Sequence, residues 1–259
     1  MNVAVLGAGG RMGATVCRAV EEAPDLDLVA AVDPACAGRA LSEVVAGIGG
    51  QSAALEVLGS VVELAGPRDV RPDVAVDFTV AAAATTSMLW CAAHAVHAVC
   101  GTTGIGEEDV GEIRGAFEDS AANAVLAPNF SIGAVTMMAC AALCAPHFAG
   151  VEIVERHHDQ KRDAPSGTAL ATASRIGASR RARQSGSLGA DPTEDENLPG
   201  ARGGVGDSGV HVHSVRLPGL VAHHEVVFGN PGETLTIRHD STDRASFMPG
   251  VLLAVRRVA

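Results

Sequence analysis

The chain of 259 residues is 47% hydrophobic, which is typical of a folded globular protein and excludes a disordered one. Its formal net charge is −11 and it has no basic tract, so we expect it to bind neither nucleic acid nor a membrane surface. The excess negative charge lies in residues 1–130, whereas residues 131–259 carry 13 basic and 13 acidic side chains. An anionic substrate is therefore expected in the second half.

The first 130 residues alternate short apolar runs with helical patterns, which predicts a parallel sheet covered by helices. The predicted strands are 3–6, 28–32, 74–77, 98–100 and 124–127, and the predicted helices are 12–23, 81–94 and 107–120. The uncharged run 120–151 is long enough to cross a membrane, but Pro128, Asn129 and Pro146 interrupt it. We interpret that run as a buried strand, a turn and a helix.

The pattern changes after residue 130. It predicts helices at 132–145, 167–183 and 247–258, and strands at 151–156, 210–216, 220–228 and 233–239. The stretch 185–209 is rich in Gly, Pro and acidic residues and is predicted to be a mobile loop. We therefore expect an α/β fold with two domains: a Rossmann-type dinucleotide-binding domain, and an α+β domain with a four-stranded mixed sheet. Active sites often lie in the cleft between two such domains.

A glycine-rich turn follows the first predicted strand and opens the first predicted helix. Its residues are Gly7, Ala8, Gly9, Gly10, Arg11 and Met12, with Gly13 directly after them. Glycines let the backbone approach a pyrophosphate, and a helix N-terminus supplies N–H groups and the positive end of a dipole. Asp33, just past the second strand, is placed to hydrogen-bond the adenosine ribose. Asp33 favours NADH over NADPH, although Arg11 and Arg39 offer charge that would offset repulsion of a 2′-phosphate.

Two further turns follow predicted strands of the first domain. They contain Gly101, Thr102 and Thr103, and Ala127, Pro128, Asn129 and Phe130. Ligands of open α/β sheets bind outside the carboxyl ends of the strands. Small residues and hydroxyl groups at this place suit the nicotinamide half of a dinucleotide, and ordinary loop chemistry is the alternative.

Residues 155–169 contain the highest density of side chains that can exchange protons or bind an anion. His157 and His158 are adjacent and are followed by Lys161, the only lysine in a chain with 18 arginines. Histidine exchanges protons near neutral pH, and lysine can give up a proton where arginine cannot. Ser166 is a plausible N-cap, so the backbone N–H groups of Gly167 and Thr168 would hold a carboxylate at a helix N-terminus.

Other polar patterns favour neither a metal nor a disulfide. His211, His213, His223 and His224 could in principle supply metal ligands, but no third ligand is fixed by their spacing, so we predict no metal. The six cysteines form no CxxC pair and indicate free thiols in a reducing compartment. The N-terminus leads straight into a strand-like segment, so we expect no signal peptide and a cytoplasmic protein.

These motifs together resemble those of the 4-hydroxy-tetrahydrodipicolinate reductase (dihydrodipicolinate reductase) family of lysine and diaminopimelate biosynthesis. The matching segments are residues 5–13, 76–79, 101–104, 127–130, 157–169, 217–229 and 232–239, which span nearly the whole chain. The segment from His157 to Ala169, with its Pro-Ser-Gly-Thr sequence, is the most specific of them.

The resemblance implies a set of roles. Residues 7–12, Asp33, 101–103 and 127–130 would contact NADH or NADPH. His157 would be the catalytic acid and base and Lys161 the proton donor, while His158, Gly167 and Thr168 would bind a cyclic imino dicarboxylate. It also implies cytoplasmic homotetramers joined through the sheets of the second domain. The substrate-binding and tetramerisation domain would comprise residues 131–240, and residues 241–259 would return to the dinucleotide-binding domain 1–130.

Two other functions stay open at this point. Other two-domain dehydrogenases, such as aspartate or homoserine dehydrogenases, share the predicted layout, although residues 157–168 argue against them. A dinucleotide sensor without activity would share the fold as well, but it leaves the setting of Lys161 unexplained.

Overall fold

The computed structural model describes residues 1–66, 70–186, 188–189 and 191–259. These residues form two compact units, one of Met1–Phe130 with Phe247–Ala259 and the other of Ser131–Ser246. In this division the second unit continues past Ser241, the end of its last strand, to Ser246. The Ser241 hydroxyl also lies 2.8 Å from that of Ser246.

The first unit is built on a parallel sheet. Within the described residues its strands are β1 (Asn2–Leu6), β2 (Asp27–Val32), β3 (Val57–Leu58), β4 (Val74–Asp77), β5 (His97–Cys100) and β6 (Ala124–Leu126). Their spatial order is β3-β2-β1-β4-β5-β6, and each neighbouring pair is parallel. The chain moves outward on one side of β1 and then resumes at β4 on the other side. The point between β1 and β4 is therefore the topological switch point, at which such sheets bind ligands.

Helices cover both faces of this sheet. They are α1 (Arg11–Glu22), α2 (Leu41–Val44), α3 (Ala81–Ala93), α4 (Glu107–Glu118) and, from the end of the chain, α7 (Met248–Arg257). Side chains alternate along β1, so Val3 and Val5 pack with α1 and α7, whereas Ala4 and Leu6 pack with α3 and α4. Strands buried on both faces explain the near-continuous apolar runs of the sequence.

The second unit holds a mixed sheet. Within the described residues its strands are β7 (Gly150–His157), β8 (Gly204–Val205), β9 (His211–Arg216), β10 (Ala222–Asn230) and β11 (Glu233–Ser241), in the order β11-β10-β7-β9-β8. Only the pair of β7 and β9 is parallel in this sheet. The prediction of four strands was wrong by one, because β8 is a two-residue strand inside the predicted loop 185–209. Ser187 and Ala190 of that loop lie outside the described residues.

One face of the mixed sheet packs against the helices α5 (Ile132–Cys144) and α6 (Gly167–Ala182). Ile153, Val226 and Phe228 project from this face into the core of the unit, together with residues of both helices. The same side of β7 carries Glu155 two residues after Ile153, because strand residues alternate between faces. The helix-covered face thus passes from an apolar core to polar groups towards the end of β7.

All six cysteines carry free thiols, and Cys17, Cys91 and Cys100 are buried. Burial raises the pKa of Cys17 and of Cys91 to about 12 and that of Cys100 to about 11. These three thiols therefore stay protonated at neutral pH, which makes them poor nucleophiles.

Candidate functional site

The residues predicted to hold a dinucleotide lie along one edge of the parallel sheet. Gly7 follows β1, Asp33 follows β2, Gly101 follows β5 and Ala127 follows β6. Parallel strands present their carboxyl ends at the same edge, so the four segments share one rim of the first unit. The N–H groups of Gly101 and Ala127 also donate to the carbonyls of Asp77 and Cys100, at 2.9 and 3.0 Å.

The glycine-rich turn packs closely against Asp33. Gly7 has a positive φ of 80°, a conformation that favours glycine. The N–H of Gly9 donates to Oδ2 of Asp33 at 2.9 Å, and the N–H of Ala35 donates to Oδ1 at 3.0 Å. A Cβ atom at Gly9 would lie 2.8 Å from the sulfur of Cys36 and 3.0 Å from the Asp33 carboxylate. The glycine-rich turn and Asp33 are therefore held together at the N-terminus of α1.

Asp77 links two turns at the switch point. Its Oδ1 atom accepts hydrogen bonds from the Thr79 N–H at 2.9 Å, the Thr79 hydroxyl at 2.7 Å and the Thr102 hydroxyl at 2.9 Å. The side chain is buried, and among the described residues its Oδ2 atom has no hydrogen-bond partner. Asp77 thus fixes the turn after β4 relative to the turn after β5.

Aromatic packing completes this rim. The rings of Phe78 and Phe130 lie 5.9 Å apart in an edge-to-face arrangement. A Cβ atom at Gly101 would lie only 2.2 Å from the Phe78 ring, so glycine is the residue that fits there. The turns after β4, β5 and β6 are therefore packed together, with Thr103 and Pro128 exposed on them.

In the second unit, His157 is the last residue of β7. Its Nδ1 atom is hydrogen-bonded to Oε2 of Glu155, which is fully buried. Glu155 also accepts two hydrogen bonds from Arg216, at 2.8 and 2.9 Å, and one from the backbone N–H of Ser166 at 3.1 Å. Burial by itself would raise the pKa of Glu155, but hydrogen bonds from His157, Arg216 and Ser214 hold it well below its usual range.

Lys161 lies in the turn between β7 and α6. Its Nζ atom donates to both carboxylate oxygens of Asp163, at 2.8 and 2.9 Å. The hydrogen bond from Lys161 lowers the pKa of Asp163, so that carboxylate stays charged. The Lys161 side chain is mostly buried and forms an ion pair with an acid two residues further on.

Helix α6 begins directly after this turn. Ser166 is its N-cap, and the Ser166 hydroxyl accepts a hydrogen bond from the Ala169 N–H at 3.3 Å. Gly167 and Thr168 are the first two helical residues, and a Cβ atom at Gly167 would meet nothing within 4 Å. Nearby, His158 has a buried Nδ1 atom with no hydrogen-bond partner among the described residues. The segment offers a capped helix N-terminus and, among the described residues, an unsatisfied ring nitrogen, a combination that suits an anion.

The remaining histidines of the second sheet do not converge. His213 pairs with Glu152 at 2.9 Å and His223 with Asp240 at 2.6 Å, on the face that α5 and α6 leave uncovered. His224 is buried on the other face, opposite Glu155 in the strand ladder. Across the described chain, no group of three or more His, Cys, Asp or Glu side chains is arranged to hold a metal ion.

His224 is expected to make the protein less stable in acid. Burial lowers its pKa from 6.5 to about 4, so between these values the unfolded chain binds a proton that the folded chain rejects. The free energy of unfolding should fall by up to about 3 kcal/mol as the pH drops through this window. Urea unfolding of His224→Gln between pH 7 and pH 4 should give a flatter profile.

The exposed His147 supplies the control, because His147→Gln should leave the profile of the parent chain unchanged. Equal acid sensitivity of the parent and His224→Gln would contradict the prediction.

Sequence reasoning missed three residues of these clusters, namely Glu155, Arg216 and Asp77. Glu155 and His157 are two residues apart on a strand, and the alternation of strand faces is the signal that pairs them. Arg216 has no such signal, because 61 residues separate it from Glu155. Asp77 ends a predicted strand, but nothing local indicates that it binds Thr102, which lies 25 residues away.

Comparison with known families matches almost the entire chain. The family described as "Dihydrodipicolinate reductase, N-terminus" matches residues 1–130, and the family described as "Dihydrodipicolinate reductase, C-terminus" matches residues 133–259. The protein named 4-hydroxy-tetrahydrodipicolinate reductase of Cutibacterium acnes is 48% identical over 260 residues, covering 100% of this chain and 93% of that protein. The protein of that name from Desulfitobacterium hafniense strain DSM 10664 / DCB-2 is 44% identical, covering 100% and 94%.

A solved structure agrees with these matches. The dipicolinate-bound dihydrodipicolinate reductase of Paenisporosarcina sp. TG-14 is 38% identical, with a TM-score of 0.84 and coverage of 100% of this chain and 94% of that chain. The amine dehydrogenase of Mycobacterium smegmatis shares the fold at 15% identity and a TM-score of 0.65. Within the described ranges, no helix combines the length and apolar character that a membrane crossing requires. By its fold and by these full-length matches, the chain belongs to the dihydrodipicolinate reductase family.

Proposed function

We propose that the chain performs the reaction for which its curated relatives are named, the NAD(P)H-dependent reduction of 4-hydroxy-tetrahydrodipicolinate to tetrahydrodipicolinate in lysine and diaminopimelate biosynthesis. The substrate gains a hydride from NAD(P)H and a proton, and its 4-hydroxyl group leaves as water. One observation carries this proposal beyond the family match. A histidine fixed by a buried carboxylate lies at the end of β7, and Lys161 and the capped start of α6 follow it directly. This segment combines a proton-exchanging group, an ammonium donor and a site for a carboxylate.

The rim of the first unit fits a dinucleotide. Gly7, Gly9 and Gly10 carry no side chains, so the backbone of this turn can approach a pyrophosphate, and the N-terminus of α1 lies next to it. Residues 7–12 and Asp33 would hold the adenosine and pyrophosphate portions, and 101–103 and 127–130 the nicotinamide portion. When bound, NADH or NADPH supplies the hydride.

The second unit would manage the substrate and its proton. Lys161 Nζ would donate the proton that is needed as the substrate is reduced, and His157 would exchange protons through Nε2, because its Nδ1 atom is bound to Glu155. The backbone N–H groups at Gly167 and Thr168 would bind one carboxylate of the substrate. His158, which directly follows His157, would bind another polar group of the substrate.

The reaction is tested by steady-state turnover. Loss of NADH absorbance should follow the coupled generation of the 4-hydroxy substrate and should not follow oxaloacetate with ammonia, the substrates of an aspartate dehydrogenase. The aspartate dehydrogenase of Thermotoga maritima shares only the fold, at 13% identity. Turnover of neither substrate, together with tight NADH binding, would support a dinucleotide sensor instead.

We further propose a preference for NADH. The Asp33 carboxylate would repel a 2′-phosphate. Arg39, one of the two arginines that could offset that charge, is bound to Glu43 through its carbonyl at 2.9 Å and its carboxylate at 3.6 Å. Asp33→Ser should raise the ratio of kcat/KM for NADPH to kcat/KM for NADH on the order of tenfold, an effect of about 1.4 kcal/mol. Steady-state kinetics with both cofactors measures the ratio.

Asp27→Ser is the matched control, since Asp27 begins the same strand β2 at its other end and is exposed. That variant should leave the cofactor ratio unchanged. An Asp33→Ser protein with the parent ratio would show that Asp33 does not determine the preference.

The chain is proposed to act as a cytoplasmic homotetramer joined through the second sheet. Helices α5 and α6 pack on one face of that sheet, and the opposite face carries the half-buried Val154, Val215 and Val227. Apolar side chains on an uncovered sheet face suit an interface between copies of a chain. Light scattering of the purified chain measures the assembly state.

A further inference from the structure

Glu155 is a buried carboxylate for which the proposed reaction has no direct use. It lies on the helix-covered face of β7, two residues beyond the core residue Ile153, and its side chain is fully buried. Burying a charged group costs free energy unless partners compensate for the lost water. A carboxylate kept at this place therefore calls for an explanation in terms of those partners.

The hydrogen-bond partners of Glu155 come from β7, from β9 and from the start of α6. Arg216 on β9 binds both of its oxygens, Ser166 at the start of α6 donates a backbone N–H, and His157 on β7 itself binds through Nδ1. In the strand ladders, Ser214 of β9 and His224 of β10 lie opposite Glu155. One carboxylate thus ties the end of β7 to the end of β9 and to the first turn of α6.

This arrangement determines which nitrogen of His157 is available. A carboxylate accepts hydrogen bonds, so the Nδ1 atom that faces Glu155 carries the proton. The Nε2 atom is then the nitrogen that can accept or release a proton. The same contact restricts rotation of the ring, and Arg216 in turn holds the carboxylate in place with two hydrogen bonds.

We propose that Glu155 is a positioning residue that fixes the orientation and the tautomer of His157 for proton exchange at Nε2. The proposal rests on the proposed role of His157 in the reaction. Arg216 and the Ser166 N–H hold the Glu155 carboxylate in place. Arg216, which is 61 residues from Glu155 in the sequence, therefore acts on His157 through Glu155.

The test compares full-length variants with 4-hydroxy-tetrahydrodipicolinate and NADH. Glu155→Gln should lower kcat on the order of 100-fold, as for other residues that orient a reacting histidine, with the KM for NADH unchanged. The double variant Glu155→Gln with His157→Gln should be no slower than His157→Gln alone, because a positioning residue has no effect once its target is gone. A merely structural role would make the two losses multiply and would contradict the proposal.

The same strand supplies a matched control. Glu152 is also bound to a histidine, His213, and to an arginine, Arg202, but it lies on the opposite face of the sheet. Glu152→Gln should keep the parent kcat, and its assembly state is measured alongside. An equal loss of kcat in Glu152→Gln and Glu155→Gln would overturn the specific role of Glu155.

A measurement on the unaltered protein keeps the proposal testable if Glu155→Gln does not fold. Nitrogen-15 spectra of the full chain should show the neutral His157 ring with its proton on Nδ1, and a proton on Nε2 would overturn the proposal. Normal kcat in His157→Gln would refute the proposed role of His157 itself. Loss of activity in His157→Gln with normal activity in Glu155→Gln would refute only the positioning role.

Discussion

Lys161→Met is expected to lower kcat by at least about 100-fold, within the range that general acids contribute to enzymatic rates. Methionine keeps an unbranched side chain of similar length but has no proton to donate. The Kd for NADH should stay within about twofold of the parent value, a change in binding free energy of under about 0.5 kcal/mol. The reason is that the residues proposed to hold the dinucleotide belong to the first unit. Stopped-flow or steady-state kinetics and a fluorescence titration with NADH give the two values.

The neighbouring Arg162 provides the matched control, since it is exposed and its replacement by methionine removes an equal charge one residue away. Arg162→Met should turn over at the parent rate. Lys161→Arg should be nearly as slow as Lys161→Met, because the guanidinium stays protonated and cannot serve as an acid at neutral pH. Normal kcat in either Lys161 variant would show that the proton comes from another group.

Gly13→Ala is expected to lower the stability of the first unit strongly. A Cβ atom at Gly13 would lie 1.9 Å from the carbonyl oxygen of Gly7, so α1 would have to move away from the turn. Overpacking of this kind costs about 1 to 3 kcal/mol of the free energy of unfolding, and a backbone contact leaves little room to relax. NADH binding should weaken as well, because the displaced turn is the proposed pyrophosphate site.

Gly115→Ala tests the same substitution in an open place. Gly115 lies within helix α4, where a Cβ atom would meet nothing within 4 Å. Alanine is the better helix former, so this variant should be more stable than the parent by about 0.5 to 1 kcal/mol. Urea unfolding with and without NADH measures both variants, and equal stability of the two would contradict the packing argument.

The parts of the fold that could be predicted are those with a repeated hydrophobic pattern. Strands β1 and β4 are buried along almost their whole length and stand out as continuous apolar runs, and the buried residues of helix α1 recur with a helical period that the sequence shows. The strands β3 and β8 have two residues each, too few for any period. They form because a neighbouring strand offers backbone hydrogen bonds, and the local sequence alone does not predict such pairing.

The site divides in the same way. His157, Lys161 and the Ser166 cap lie within ten residues of one another and were found by their local chemistry, whereas Arg216 reaches the site only through the ladder of β7 with β9.

The equal numbers of basic and acidic side chains in the second half also have a more specific meaning in the structure. Several of its arginines are engaged in internal contacts, such as Arg202 with Glu152 and Arg156 with Glu225, rather than left open for substrate.

The placement of α7 bears on how the chain folds during its synthesis. Met248, Val251 and Val255 of this helix lie in the same core as Val3 and Val16 of the first unit, and Gly250 packs against the carbonyl of Phe130. The ribosome produces these residues only after all of Ser131–Ser246. The second unit can therefore mature while the first still exposes part of its apolar interior, and that interior is covered only when translation has passed residue 255.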